Sequence, residues 1–94
     1  VIAAAEAADQ RRNDGKQLSD FDGIPIAIKD CIVTEGQTCG CASKLLENVV
    51  APYDSTVVTK LRAKGFIPMG RVNMDEFAMG STCENSAFQK TANP

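Results

Sequence analysis

The stretch Gly23-Ile24-Pro25-Ile26-Ala27-Ile28-Lys29-Asp30-Cys31-Ile32-Val33 constrains the fold more than any other part of this chain. It is the most apolar run, it is rich in β-branched residues, and it alternates. Ile24, Ile26 and Ile28 share one face, while Ala27 and Lys29 share the other. Pro25 stands at the start, where a missing backbone donor does least damage. The pattern predicts a strand over 24–33, and a strand with an apolar face needs a sheet and a covering layer.

A second, shorter strand is predicted over 66–72, Phe66-Ile67-Pro68-Met69-Gly70-Arg71-Val72. Between the two, Asp54 or Ser55 caps a helix in which Val57, Val58 and Leu61 form an apolar stripe, and Gly65 terminates it. A β-rich run, a helix and a second β-rich run predict an α/β arrangement with a partly parallel sheet. Ala, Glu, Gln and Arg over 1–12 predict an N-terminal helix, with Val1, Ile2, Ala5 and Ala8 near helical spacing, fraying by Asn13-Asp14-Gly15. The polar segment 16–22 carries two apolar anchors, Leu18 and Phe21. Ser43 caps a short helix through Lys44-Leu45-Leu46-Glu47. Asn73 with Glu76 forms a capping-box variant that opens another, with Met74, Phe77 and Ala78 on one face and Gly80 as its stop. Residues 81–94 are a Ser/Thr/Asn-rich loop. Residues 1–94 thus form one small domain or part of a larger one, and with Val1 at one end and Asn93-Pro94 at the other, both ends look cut.

Composition narrows the chemistry. Ten Lys+Arg against twelve Asp+Glu give a net charge of -2, and no basic run exceeds Arg11-Arg12, so the chain lacks the electrostatic footprint of a nucleic-acid binder. There is no His, which removes imidazole bases and ligands unless a partner supplies them. The opening has neither a positive n-region nor an apolar h-region, and no stretch approaches the roughly 18 apolar residues of a membrane span. In a chain without an export signal, Cys31, Cys39, Cys41 and Cys83 read as thiols. Cys39-Gly40-Cys41 lacks the paired C-x-x-C spacing of zinc sites, so small apolar residues are favoured over an all-cysteine metal module, and no metal is expected.

Lys29 is where chemistry enters. One reading makes Lys29 and Asp30 the solvated end of a strand, a surface ion pair worth little. The other holds Lys29 in the interior, where burial penalises the ammonium and leaves a neutral amine able to serve as the general base that no His provides. The period-two pattern sends Asp30 to the face opposite Lys29.

Gly23-Ile24-Pro25-Ile26-Ala27-Ile28-Lys29-Asp30 resembles the G-x-P-x-x-x-K-D element of the amidase signature family. The resemblance continues through Ala42-Ser43-Lys44-Leu45-Leu46-Glu47-Asn48, Pro52-Tyr53-Asp54-Ser55-Thr56-Val57-Val58, and Gly70-Arg71-Val72-Asn73-Met74-Asp75-Glu76-Phe77-Ala78-Met79-Gly80-Ser81. It closes with Glu84-Asn85-Ser86-Ala87-Phe88 and Asn93-Pro94, so that it covers essentially the whole chain. It implies the N-terminal part of the amidase signature fold, a mixed central sheet covered by helices, incomplete within 94 residues.

The resemblance implies that Lys29 is the lysine of a Ser/cis-Ser/Lys triad whose two serines lie beyond Pro94. Ser81 and Ser86 remain loop and capping hydroxyls. Met79 and Gly80 are implied near the acyl-substrate pocket; read from the residues alone, they are a core filler and a helix stop. Within the family, the combination is similar to the glutamine-hydrolysing subunit of a tRNA-dependent amidotransferase. That implies glutamine as substrate and two partners, the B and C subunits of such an enzyme. The first is a kinase/transferase that holds the charged tRNA and the ATP and magnesium site, and the second is a small tether. This chain needs no cofactor of its own and carries no Gly-rich phosphate loop. The implied compartment is the bacterial cytoplasm, with an organelle matrix second. The sequence departs from the family's pattern at three places: Cys31 replaces a usual Asn, Gly40-Cys41 precedes Ala42-Ser43 where Thr is more usual, and Arg71 replaces a frequent Lys. Rival readings are another amidase of the family and a non-catalytic interaction domain.

Overall fold

In the computed structural model, which describes residues 1–93, helix α1 (Ile2–Asn13), strand β1 (Pro25–Lys29), helix α2 (Thr56–Ala63) and strand β2 (Ile67–Val72) follow one another along the chain. Single 3-10 turns lie at Lys44–Leu46 and Glu76–Ala78. Pro94, which closes the last motif, lies outside the described residues.

β1 and β2 pair in parallel, Pro25 with Ile67 at one end and Lys29 with Val72 at the other, with an irregularity between Ile26 and Ala27. Parallel pairing needs a crossover, and α2 supplies it. These two strands are the whole sheet of the described residues, an α/β unit that is all parallel where the sequence predicts a partly parallel sheet. Within β1 the buried side chain is Ile28, with Ala27 and Lys29 exposed on either side, as the alternation predicts. Ile28, Val58, Ile67, Met74 and Ala8 are buried and form most of a small core. Of the predicted stripe on α2, only Val58 is buried; Val57 is half exposed.

The strand is shorter than its apolar run. Asp30 makes one more ladder bond, its N–H to the Val72 carbonyl at 3.1 Å, and then Ile32 N–H turns back to the Lys29 carbonyl at 2.9 Å. Cys31, Ile32 and Val33 therefore leave the sheet, because the Asp30 side chain is claimed elsewhere. One of its carboxylate oxygens accepts from the Ala42 N–H at 3.0 Å and the other from Arg71 Nε at 3.4 Å. The Arg71 fork also donates to the carbonyls of Asp30 at 3.1 Å and Ile32 at 2.9 Å, and to the buried Thr34 hydroxyl at 3.1 Å. A guanidinium can serve so many acceptors at once because its donors are fixed in a plane.

Capping follows the sequence at two sites and departs from it at a third. Ser43 accepts from Leu45 N–H and Ser55 from Val58 N–H, and Gly65 ends α2 at a φ of 87°. Asp54 caps nothing: it accepts the Glu35 N–H at 2.8 Å and pairs with Arg62 at 3.3 Å. The capping box at Asn73 does not form. Asn73 donates to Gln89 and Thr91 instead, the 3-10 turn starts after Asp75, and Phe77 is left-handed at φ 51°. Met74 is buried, but Phe77 and Ala78 are exposed, so the predicted apolar face is absent.

α1 buries only Ala8 and is attached by charge. Arg11 Nε and Nη2 donate to the two Asp22 carboxylate oxygens at 2.8 and 2.7 Å, Leu18 N–H donates to one of them at 3.0 Å, and Arg12 donates to the Asp22 carbonyl. Leu18 and Phe21 are each about half exposed; Phe21 is held by stacking on Phe66, ring centroids 5.6 Å apart. A side chain on Gly65 would run into the Asp22 carboxylate, so the turn after α2 also needs the glycine for space.

The Arg11 hydrogen bonds, with the Leu18 N–H, lower the Asp22 carboxyl to about 2. A depressed folded-state value gives stability that is full above the unfolded value of about 4 and is lost as pH falls through the folded one. Comparing urea midpoints of the wild type and Asp22→Asn, the wild-type advantage should be full at about pH 6, mostly lost by about pH 2 and gone by about pH 1. Arg71→Lys should lower the midpoint by about 1–3 kcal/mol of stability, since a single ammonium cannot replace the fork. An unchanged midpoint would mean that the fork holds nothing.

Candidate active site

Lys29 is the last residue of β1 and stands at the carboxyl end of the parallel pair, the end where ligands bind in open α/β sheets. It is exposed, and its ammonium has no ion-pair partner among the described residues. Asp30 points away, as the alternation predicts, and pairs with Arg71 at 3.4 Å, so the Lys29–Asp30 surface pair of the first reading does not form. The burial of the second reading is not met either within these residues.

A chain of backbone hydrogen bonds runs from the end of β1 to the segment containing Met79 and Gly80. The Asp30 carbonyl accepts from the Cys41 N–H at 3.4 Å, and the Cys41 carbonyl accepts from the Phe77 N–H at 3.0 Å. Both ends of that second bond are left-handed pairs: Cys41 and Ala42 have φ of 49° and 52°, Phe77 and Ala78 of 51° and 61°. Residues with a β-carbon hold such angles only where the surroundings impose them. Here the Ala42 carbonyl accepts from Ala87 N–H at 2.9 Å, and the buried Ser43 hydroxyl donates to the Glu76 carboxylate.

Asp75 organises the loop over 82–85. It is buried, and its two carboxylate oxygens accept the N–H groups of Asn85 at 2.8 Å and Cys83 at 3.0 Å. The Asn85 N–H, opposed by burial and aided by the N–H groups of Cys83, Thr82 and Glu84, holds this carboxyl below the usual carboxylate range. Gly80 lies against it, and a β-carbon there would sit 2.5 Å from the Asp75 carboxyl carbon. Gly80 is thus required by close approach rather than as a left-handed helix stop. Met79 is 79% exposed, so it is not a core filler. Ser86 behaves as a loop hydroxyl, donating to Asn73 and accepting from Phe88 N–H.

Sequence reasoning missed Asp75 and Arg71 as organising residues. The signal for Asp75 was an acid two residues after Asn73, masked by the capping-box pattern that credited Glu76. Arg71 was noticed only as a departure from the family's pattern.

The four cysteines are free thiols. Cys39 Sγ contacts the Asp30 carbonyl at 3.4 Å; burial, then the neighbouring Cys39 and Cys31 thiols and the Asp30 carboxylate, push the Cys41 thiol up. Among the described residues no three His, Cys, Asp or Glu side chains are grouped to hold a metal ion. A cleft of about 480 Å³ between α1 and the start of β2, lined by Ala4, Ala7, Phe66, Ile67 and Pro68, lies at the amino end of β2, opposite the Lys29 end.

The model of the Amidase family matches residues 1–94. Over all 94 residues the chain is 57% identical to the A subunit of the glutamyl-tRNA(Gln) amidotransferase of Leptospira interrogans and 53% identical to that of Synechococcus elongatus, covering 19% and 20% of those proteins. It spans about a fifth of the length of these curated relatives. Among solved structures, the A subunit of the glutamyl-tRNA(Gln) amidotransferase of Thermotoga maritima superposes with a TM-score of 0.76 at 52% identity, over 80% of this chain and 17% of that one. The native peptide amidase of Stenotrophomonas maltophilia superposes with a TM-score of 0.73 at 29% identity, over 80% of this chain and 15% of its own. A match along every residue of the chain, together with this likeness of backbone, makes the chain a member of the amidase family, of whose fold it forms a part.

Proposed function

We propose that this chain is the lysine-bearing part of a glutamine-hydrolysing amidase subunit that supplies ammonia for tRNA-dependent transamidation. The observation that carries the reading is the state of Lys29: an unpartnered amine at the carboxyl end of a parallel strand, with its neighbouring carboxylate turned away and occupied by Arg71 and the Ala42 N–H. The identity of 50–57% to amidotransferase A subunits across the whole chain supports the choice of substrate.

In this reading Lys29 acts as the neutral amine. It takes the proton of a bridging cis-serine, which takes the proton of the nucleophilic serine; both serines belong to parts of the protein outside these residues. The nucleophile attacks the side-chain amide carbon of glutamine, ammonia leaves, and water releases glutamate from the acyl-enzyme. Met79 and Gly80 contribute to the acyl pocket. Desolvation of Lys29 comes from walls outside these residues, and without the two serines the 94 residues alone are inactive.

The partners are the B and C subunits of the amidotransferase, the first of which holds charged tRNA, ATP and magnesium, in the bacterial cytoplasm. Among the described residues no helix is long and apolar enough to cross a membrane.

In the full-length enzyme, Lys29→Ala should lower the kcat for glutamine hydrolysis by about 10²–10⁴-fold, the range of a lost general base, and the isolated 94-residue chain should release no ammonia. Turnover at the parental rate by the Lys29→Ala enzyme would remove the lysine from the mechanism.

A further inference from the structure

The segment from Phe77 to Cys83 is tightly constrained and largely exposed. Phe77, Ala78 and Cys83 are all left-handed, and five interactions fix the segment between them. They are Ala78 N–H to the Asp75 carbonyl at 2.9 Å, Glu76 N–H to the Asn85 carbonyl at 3.2 Å, Phe77 N–H to Cys41, and the two N–H groups on the Asp75 carboxylate. Yet the residues these interactions enclose, from Phe77 to Thr82, with Gly80 lying against the Asp75 carboxylate, are all exposed within these 94 residues. That carboxylate holds solvent-facing backbone in a set shape, which is what a preorganised binding surface requires.

We propose that Asp75 is a positioning residue for substrate: by seating the 82–85 loop and excluding any side chain at position 80, its carboxylate fixes the Met79–Gly80 backbone in the one arrangement that receives the glutamine acyl chain. This rests on the placement of Met79 and Gly80 in the acyl pocket given above. Asp75 touches neither the reacting atoms nor Lys29, so its contribution is to binding in ground and transition states alike, and its loss appears in KM rather than kcat.

The test uses the full-length enzyme with its partner subunits and glutamine as the probe. Asp75→Asn keeps the size of the side chain but places an amide N–H₂ against backbone N–H donors; Gly80→Ala leaves the carboxylate and presses on it from the other side. Each should raise KM for glutamine at least about fivefold and change kcat less than KM, in protein that still folds. Because both act on one contact, the double variant should be no worse than the more impaired single variant. The proposal is overturned if KM is unchanged in either folded variant, if kcat falls with KM intact, if the two effects multiply, or if neither variant folds, which would make Asp75 a purely structural residue. Lys29→Ala in the same assay separates the two claims: loss of turnover there leaves the catalytic reading standing whatever Asp75 does, and full turnover removes that reading instead.

Discussion

The Arg71 guanidinium and the Asp30 carboxylate hold together the part of this chain that matters. One comes from the end of β2 and the other follows the end of β1, so their contact locks the carboxyl ends of the two parallel strands. The same guanidinium binds the Ile32 carbonyl and the Thr34 hydroxyl, which turns the chain out of the sheet after Lys29. The same carboxylate takes the Ala42 N–H and so places the turn that carries Cys41 and Ser43. An isolated surface ion pair would contribute little. This one is mostly shielded from water and shares its charges with backbone groups, the setting in which charge-assisted hydrogen bonds are strongest. It also frees Lys29, because a carboxylate engaged by a guanidinium does not capture the neighbouring ammonium.

Much of the scaffold was legible from residue order. The alternation of Ile24, Ile26 and Ile28 placed β1, the spacing between apolar runs placed α2 as a crossover, and the parallel pairing followed from it. Ser43, Ser55 and Gly65 announced the helix ends they make. What residue order could not supply were the tertiary claims on side chains. The run 24–33 is apolar enough to be one strand, and it stops at Lys29 because Arg71, forty-two residues on, draws the chain aside. Asn73 and Glu76 have the chemistry of a capping box, but Asn73 is held by Gln89, Thr91 and Ser86, and Glu76 by Ser43. In both cases a local preference lost to a partner distant in sequence.

The candidate site was legible to a smaller degree. Lys29 stood out as a cation closing an apolar strand, and the motif resemblance gave it a role. Its exposure at the strand end matches the solvated environment weighed from sequence, but the ion pair with Asp30 that went with it is replaced by the Asp30–Arg71 contact. Asp75 left only a faint mark in the sequence, because its cradle is made of backbone donors, which every residue except proline carries.

The hydrogen bond between Phe77 and Cys41 joins two pairs of left-handed residues that lie thirty-six positions apart. Neither pair contains glycine, and a β-branched residue fits the left-handed region poorly. If one turn relaxed to ordinary angles, its half of the shared bond would rotate away and the other turn would lose part of what imposes its shape. The two turns therefore hold their shapes jointly, and a β-branched residue at 41–42 or 77–78 would disturb a turn thirty-six positions away as well as its own.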